Sequence, residues 1–89
     1  MTRGERFKAA VLERYEQSTP AEAELLEEAA RLLDLADELA EAVDTTGFMS
    51  IGSAGQPVAN PLLNALQAAR AELRQVLRHL DLPNPEREE

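Results

Sequence analysis

Apolar residues recur at alternating spacings of four and three along two long stretches of the chain. The first repeat comprises Leu25, Ala29, Leu32, Ala36, Leu39 and Val43. The second comprises Leu62, Leu66, Ala69, Leu73, Val76 and Leu80. This period is that of an α-helix with one apolar face, so it predicts helices over residues 20–43 and 61–80. Additional leucines beside each repeat make both faces wider than the seam of a simple coiled coil.

The sequence also marks where each long helix begins. Thr19 suits the N-cap position, Pro20 suits the first helical position, and Glu22 completes a capping box. Asn60 and Pro61 repeat the cap and the proline before the second long helix. Both predicted starts therefore rest on residues that satisfy or replace the free N–H groups of a first helical turn.

A shorter amphipathic helix is predicted over residues 3–17. Thr2 and Glu5 form a capping box at its start. Apolar side chains then recur at every fourth residue, at Phe7, Val11 and Tyr15. We expect this apolar stripe to pack on the rest of the domain.

The connector between the long helices, residues 44–60, contains glycines and prolines that exclude a long helix. Its short apolar segments are consistent with either a small β-hairpin or an ordered loop. We therefore predict an all-α fold, a long antiparallel helical hairpin with an extra N-terminal helix. Residues 1–83 would form a single domain, and residues 84–89 a disordered charged tail.

The composition supports a helical domain and limits the cellular compartments in which the protein is expected. The chain contains 15 alanines and 14 leucines, which are strong helix formers, and its aromatic content is only 3%. Cysteine is absent, which excludes disulfides and thiol chemistry. The apolar runs fall short of the roughly 20 residues that span a bilayer, and the N-terminal stretch does not match a signal peptide. We therefore expect a soluble cytoplasmic protein.

The net charge of −8 is concentrated in the first long helix. Residues 20–44 hold nine acidic residues and one basic residue, so this segment would repel a polyanion such as DNA. Contacts with DNA must then come from the segments before and after residues 20–44. The leading candidates lie on the short first helix: Arg3, Arg6, Lys8 and Arg14.

A second basic stripe follows the last helix at spacings of four and comprises Arg70, Arg74 and Arg78. Arginine binds phosphate oxygens two at a time, so this stripe is a secondary candidate for DNA contact. The favoured interpretation is that these arginines meet the acidic helix, within one chain or between subunits.

The sequence pattern offers no catalytic or metal-binding arrangement. His79 is the single histidine, and its place near the end of the last helix suits the negative end of the helix dipole better than a metal site. The paired carboxylates lie along a solvent-facing helix side, where burial does not prepare them for proton transfer. We therefore expect no enzyme activity, no cofactor and no metal.

Short motifs follow one another in order and together cover roughly residues 4–83. They are Arg3-Gly4-Glu5-Arg6, STPAEAELLEEAA at residues 18–30, LDLAD at 33–37, Gly47, GQPVANPL at 55–62 and LDLP at 80–83. Together they resemble the phage terminase small subunit family. The chain is similar to a short form without a separate N-terminal DNA-binding domain, because only 19 residues precede the long helical hairpin.

The resemblance implies a non-enzymatic subunit of the motor that packages viral DNA. Such subunits assemble into rings, recognise or load DNA, and regulate the ATPase and nuclease of the large terminase subunit. The implied partners are further copies of the chain, the large subunit and phage DNA, in the cytoplasm of the host cell. We expect the DNA contact to be weak and non-specific, because the separate DNA-binding domain is missing from the short form.

The width of the two apolar faces independently favours self-assembly. Such a face exceeds what one partner helix covers, and a domain this small gains stability from subunit contacts. The positions expected in the core or the oligomer seam are Leu25, Leu32, Leu39, Leu62, Leu66, Leu73 and Leu80. The alternative is a small acidic helical adaptor, or an antitoxin-like inhibitor, that binds a basic protein.

Overall fold

The computed structural model describes residues 1–14, 19–47, 49–51 and 57–85. It contains three helices, α1 (Arg3–Arg14), α2 (Pro20–Thr46) and α3 (Pro61–Leu80), and two short strands, β1 (Met49–Ile51) and β2 (Pro57–Ala59). The three predicted helices are present, and the helical fold class is confirmed. The expected extension of α1 to residue 17, including Tyr15, lies outside the described residues, as do residues 86–89 of the tail predicted over 84–89.

α2 ends at Thr46 rather than at Val43, so residues 44–46 belong to the helix and not to the connector. The hydroxyls of Thr45 and Thr46 donate to carbonyls one turn earlier, at 3.0 and 2.8 Å. The helix stops at Gly47, whose φ of +86° is costly for any residue with a side chain. The apolar repeat ends before the helix does, because the last turn faces solvent and is held by hydrogen bonds.

Side-chain caps begin the two long helices as the sequence indicates. Thr19 Oγ1 accepts the Glu22 N–H at 3.1 Å, and Asn60 Oδ1 accepts the Leu62 N–H at 3.0 Å. A proline follows each cap, at a position where the helix needs no N–H. Each start is thus marked by a hydrogen bond between residues only two or three positions apart.

α3 packs back along α2 in the opposite direction. Asn60, just before α3, hydrogen-bonds to Thr46 at the end of α2. The later part of α3 reaches the earlier part of α2, where one buried cluster comprises Ala29, Leu32, Leu33, Leu73 and Leu77. Burial of these leucines removes apolar side chains from water and stabilises the packing of the two helices.

α1 lies against α2 and runs antiparallel to it. Arg3, at the start of α1, pairs with Asp37, whereas Lys8, further along, pairs with Glu27. Phe7 packs against the buried cluster between α2 and α3. The apolar side of α1 is therefore turned towards the domain, as expected.

The connector pairs β1 with β2 in antiparallel register, with Met49 opposite Ala59 and Ile51 opposite Pro57. The molecule is a rod of 54 × 24 × 22 Å. None of the described helices combines the length and the apolar character that a membrane crossing requires.

Candidate nucleic-acid interface and assembly face

Two of the four basic candidates on α1 already engage carboxylates of α2. The Arg3 guanidinium contacts both oxygens of Asp37, through Nη2 to Oδ1 at 2.7 Å and Nε to Oδ2 at 3.1 Å. Lys8 Nζ pairs with Glu27 Oε1. The basic side chains remain 33% and 35% exposed, so water and dissolved ions have access to both pairs.

Asp34 of α2 holds the first turn of α1. Its Oδ1 accepts the Gly4 N–H at 2.8 Å, and its Oδ2 accepts a hydrogen bond from the Thr2 hydroxyl at 2.9 Å. A carboxylate at this place satisfies a free N–H of α1 and meets the positive end of its dipole. Thr2 also accepts the Glu5 N–H at 3.1 Å, so the predicted capping box is extended by a residue of another helix.

Gly4 determines how closely α1 approaches α2. A Cβ atom at this position would lie 2.1 Å from the Ala30 carbonyl oxygen and 2.8 Å from Asp34 Oδ1. The carbonyl is helix backbone and cannot turn aside, so a side chain at Gly4 would push the helices apart. We call the surface of α2 that receives α1 the α1 seat; it comprises Glu27, Ala30, Asp34 and Asp37.

The other two basic candidates on α1, Arg6 and Arg14, are exposed. Arg6 Nη1 donates to the Met1 carbonyl at 3.4 Å. Over the described parts of the chain, neither residue forms an ion pair with α2. The structure thus divides the α1 cations into two that engage the α1 seat and two that face solvent.

The basic stripe on α3 faces solvent over part of its length. Arg74 and Arg78 are exposed, whereas Arg70 is half-buried. The sequence favours ion pairs between these arginines and α2. Among residues 1–14, 19–47, 49–51 and 57–85, neither Arg74 nor Arg78 forms such a pair within the chain. These two arginines therefore remain candidates for phosphate or for another subunit.

Arg31, the basic residue of α2, is engaged within its own helix. Its Nε donates to Glu28 Oε2 at 3.1 Å. The hydrogen bond to Glu28 and its negative charge raise the pKa of Arg31 above its ordinary value, and Glu72 of α3 adds to this. Arg31 is thus held by acidic neighbours, chiefly Glu28 of its own helix.

An apolar groove runs between α2 and α3, on the side of α2 opposite to the α1 seat. Its volume is about 380 Å³, and its apolar lining consists of Leu32, Leu35, Leu39, Ala65, Ala68 and Ala69. Leu32 and Ala69 form a buried floor, whereas Leu35 and Leu39 are half-buried. The apolar part of the α3 wall is made of alanines, so a neighbouring side chain could approach the backbone closely there, and the charged residues Arg31 and Glu72 complete the lining.

The residues proposed for the core or the seam separate into two groups. Leu32, Leu66 and Leu73 are buried within the single chain. Four others remain half-buried: Leu25, Leu39, Leu62 and Leu80. One chain therefore leaves part of each wide apolar face accessible.

The described residues hold no group of three or more His, Cys, Asp or Glu side chains placed to bind a metal ion. His79 is exposed, and its Nδ1 lies 3.0 Å from the Gln75 carbonyl oxygen within the same helix. Its neighbours thus fit the role that the sequence gives it at the end of α3.

The model of one protein family, described as the phage terminase small subunit, matches residues 6–89 of the chain. No curated protein and no solved structure matches. The matched region includes most of α1 and all of α2 and α3, and it confirms the resemblance carried by the short motifs. The chain belongs to the phage terminase small subunit family.

Proposed function

We propose that this chain is the non-catalytic small subunit of a phage DNA-packaging terminase. It would assemble into a ring that loads viral DNA and regulates the ATPase and nuclease of the large subunit, in the cytoplasm of the host cell. The observation that carries the proposal, beside family membership, is the apolar groove between α2 and α3 that the single chain leaves uncovered.

The groove supports assembly through its shape and composition. Leu35 and Leu39 form one wall, and the small side chains of Ala65 and Ala68 form the other. Burying such a surface against a second copy removes apolar area from water and adds core to a chain of only 89 residues. Contacts between two different faces of the same subunit generate a ring when the rotation closes.

The DNA contact rests on exposed cations at the surface. Arg6 and Arg14 on α1, with Arg74 and Arg78 on α3, are exposed. The net charge of −8 opposes binding by a single chain. In a ring, weak contacts from many subunits add through their high effective concentration. We therefore expect binding that is non-specific and falls steeply with salt.

The experiment is a measurement of oligomer mass on matched variants. The wild type should scatter light as an oligomer of more than about four chains. The double variant Leu35→Gln/Leu39→Gln should remain helical but dissociate, because it makes the groove wall polar. Leu12→Gln is the control, since Leu12 is 50% exposed on α1 and outside the groove. A wild-type mass near the single-chain 9.8 kDa at micromolar concentration would exclude the ring.

Regulation of the motor is tested by adding the assembled protein to the large subunit. The wild type should change the rate of ATP hydrolysis, and the dissociated groove variant should lose this effect. A monomer or dimer that instead forms a tight complex with a basic protein would support the acidic adaptor or antitoxin-like inhibitor.

A further inference from the structure

We propose that the α1 seat competes with DNA for the cations of α1, so that α1 leaves α2 when it binds a phosphate backbone. This inference rests on the DNA contact in the proposed function. It adds to that function an autoinhibitory contact within each subunit: the acidic helix occupies the basic helix until a stronger polyanion replaces it.

The competition follows from the atoms involved. The Arg3 guanidinium uses Nε and Nη2 to bind both oxygens of Asp37. A phosphate group binds arginine through the same two-pronged arrangement. Lys8 Nζ is likewise engaged by Glu27. Neither cation can keep its carboxylate partner and offer the same N–H groups to DNA.

The surroundings of these pairs oppose DNA binding while α1 is seated. A phosphate brought to Arg3 or Lys8 would also approach Asp34, Asp37 and Glu27, the three carboxylates of the α1 seat. Like charges at such short range repel one another. Movement of α1 away from the α1 seat removes this repulsion and frees both cations together.

α1 buries few of its residues against α2, so its carboxylate partners can be exchanged for phosphates. Of the residues of α1, only Gly4 and Val11 are buried. An open cleft of about 560 Å³ lies between α1 and α2 and is lined almost entirely by charged side chains. Exposed ion pairs of this kind contribute little to stability and are screened by salt. Phe7 and Val11 supply the apolar part of the contact, whereas its charged part can be replaced by another anion.

The test compares two triple variants of α2 that each lose three negative charges. The seat variant is Glu27→Gln/Asp34→Asn/Asp37→Asn. The matched control is Glu38→Gln/Glu41→Gln/Asp44→Asn, at exposed positions of the same helix outside the α1 seat. Affinity for a labelled duplex of random sequence is measured for the full-length proteins at several salt concentrations, and α1 protection is followed by hydrogen exchange.

We expect the seat variant to bind the duplex roughly tenfold more tightly than the control variant, because its α1 cations no longer have charged competitors. Its affinity should also depend more steeply on salt than that of the wild type, which must break internal ion pairs before it binds. In the wild type, DNA should accelerate hydrogen exchange in α1.

Equal tightening by the two triple variants would overturn the inference, because only overall charge would then matter. Unchanged or increased protection of α1 in the wild-type complex would also overturn it. If the wild type and both variants fail to bind the duplex, the proposed DNA contact itself is excluded, and the inference falls with it. The first two outcomes leave the proposed function standing, so the two failures are distinguishable.

Discussion

Asn60 Nδ2 lies 2.6 Å from Thr46 Oγ1, and this hydrogen bond joins the first turn of α3 to the last turn of α2. The same amide donates to the Gly47 carbonyl at 2.8 Å, while Asn60 Oδ1 accepts the Leu62 N–H at 3.0 Å. Asn60 is only 6% exposed. One buried side chain therefore caps one helix and ties it to the end of another.

Asn60→Asp should destabilise the fold although aspartate is as good an N-cap as asparagine. The carboxylate would keep the acceptor for Leu62 but lose the donors to Thr46 and Gly47, and it would face a carbonyl oxygen. We expect a loss of about 1–3 kcal/mol in the free energy of unfolding, measured with urea.

Asn64→Asp is the matched control for this change. Asn64 is exposed in the first turn of α3, where a negative charge meets the positive end of the helix dipole. The control should be neutral or slightly stabilising. An Asn60→Asp protein as stable as the wild type would show that the donors of Asn60 contribute nothing.

Gly4→Ala should lower stability, opposite to the usual effect of this change within a helix. Alanine normally stabilises a helix interior by roughly 0.5–1 kcal/mol over glycine. Here the added Cβ would meet the Ala30 carbonyl at 2.1 Å, and such overpacking costs about 1–3 kcal/mol. Thermal unfolding and hydrogen exchange of α1 measure the effect, and a raised melting temperature would contradict the close contact.

Leu73→Ala should be the most damaging single truncation in α3. Leu73 is fully buried in the cluster with Leu77 and Leu33, and such truncations cost about 2–5 kcal/mol. Leu62→Ala, at a half-buried position, should cost clearly less in the dissociated chain. Denaturation of both proteins in the Leu35→Gln/Leu39→Gln background compares them without subunit contacts. Equal losses would argue against the described core.

Two pairs of α1 substitutions remove the same charge but should act differently. Arg6→Gln/Arg14→Gln should weaken DNA binding and reduce its salt slope without lowering the melting temperature, because both side chains face solvent. Arg3→Gln/Lys8→Gln should also weaken the seating of α1, because both side chains pair with α2. A DNA affinity insensitive to both pairs would shift the contact to Arg74 and Arg78.

The features of the fold that could be predicted from the sequence are those that depend on local periodicity and helix capping. The helix starts at Thr19 and Asn60 could be predicted because the cap and its N–H partner lie within three residues. The end of α2 could not be placed from the apolar repeat, since Thr45 and Thr46 extend the helix without contributing apolar contacts.

The α1 seat could not be predicted because it depends on contacts between distant residues. Asp34 belongs by sequence to an acidic helix face, and nothing near it indicates that it caps Gly4 of another helix. The tight fit of Gly4 against Ala30 likewise requires the packed structure. Glycine inside an otherwise helical pattern, in Arg3-Gly4-Glu5-Arg6, was the one available signal of close approach.

The position of α1 along the rod makes the two ends of the molecule different. α1 lies beside α2 between Glu27 and Asp37, whereas the Asn60–Thr46 contact and the strands occupy the other end. In a closed ring related by rotation alone, every copy stands the same way up. Where the rods stand along the ring axis, one side of the proposed ring would carry every α1 helix, and the other every pair of strands. The asymmetry of one short rod would thus give such a ring two chemically different faces.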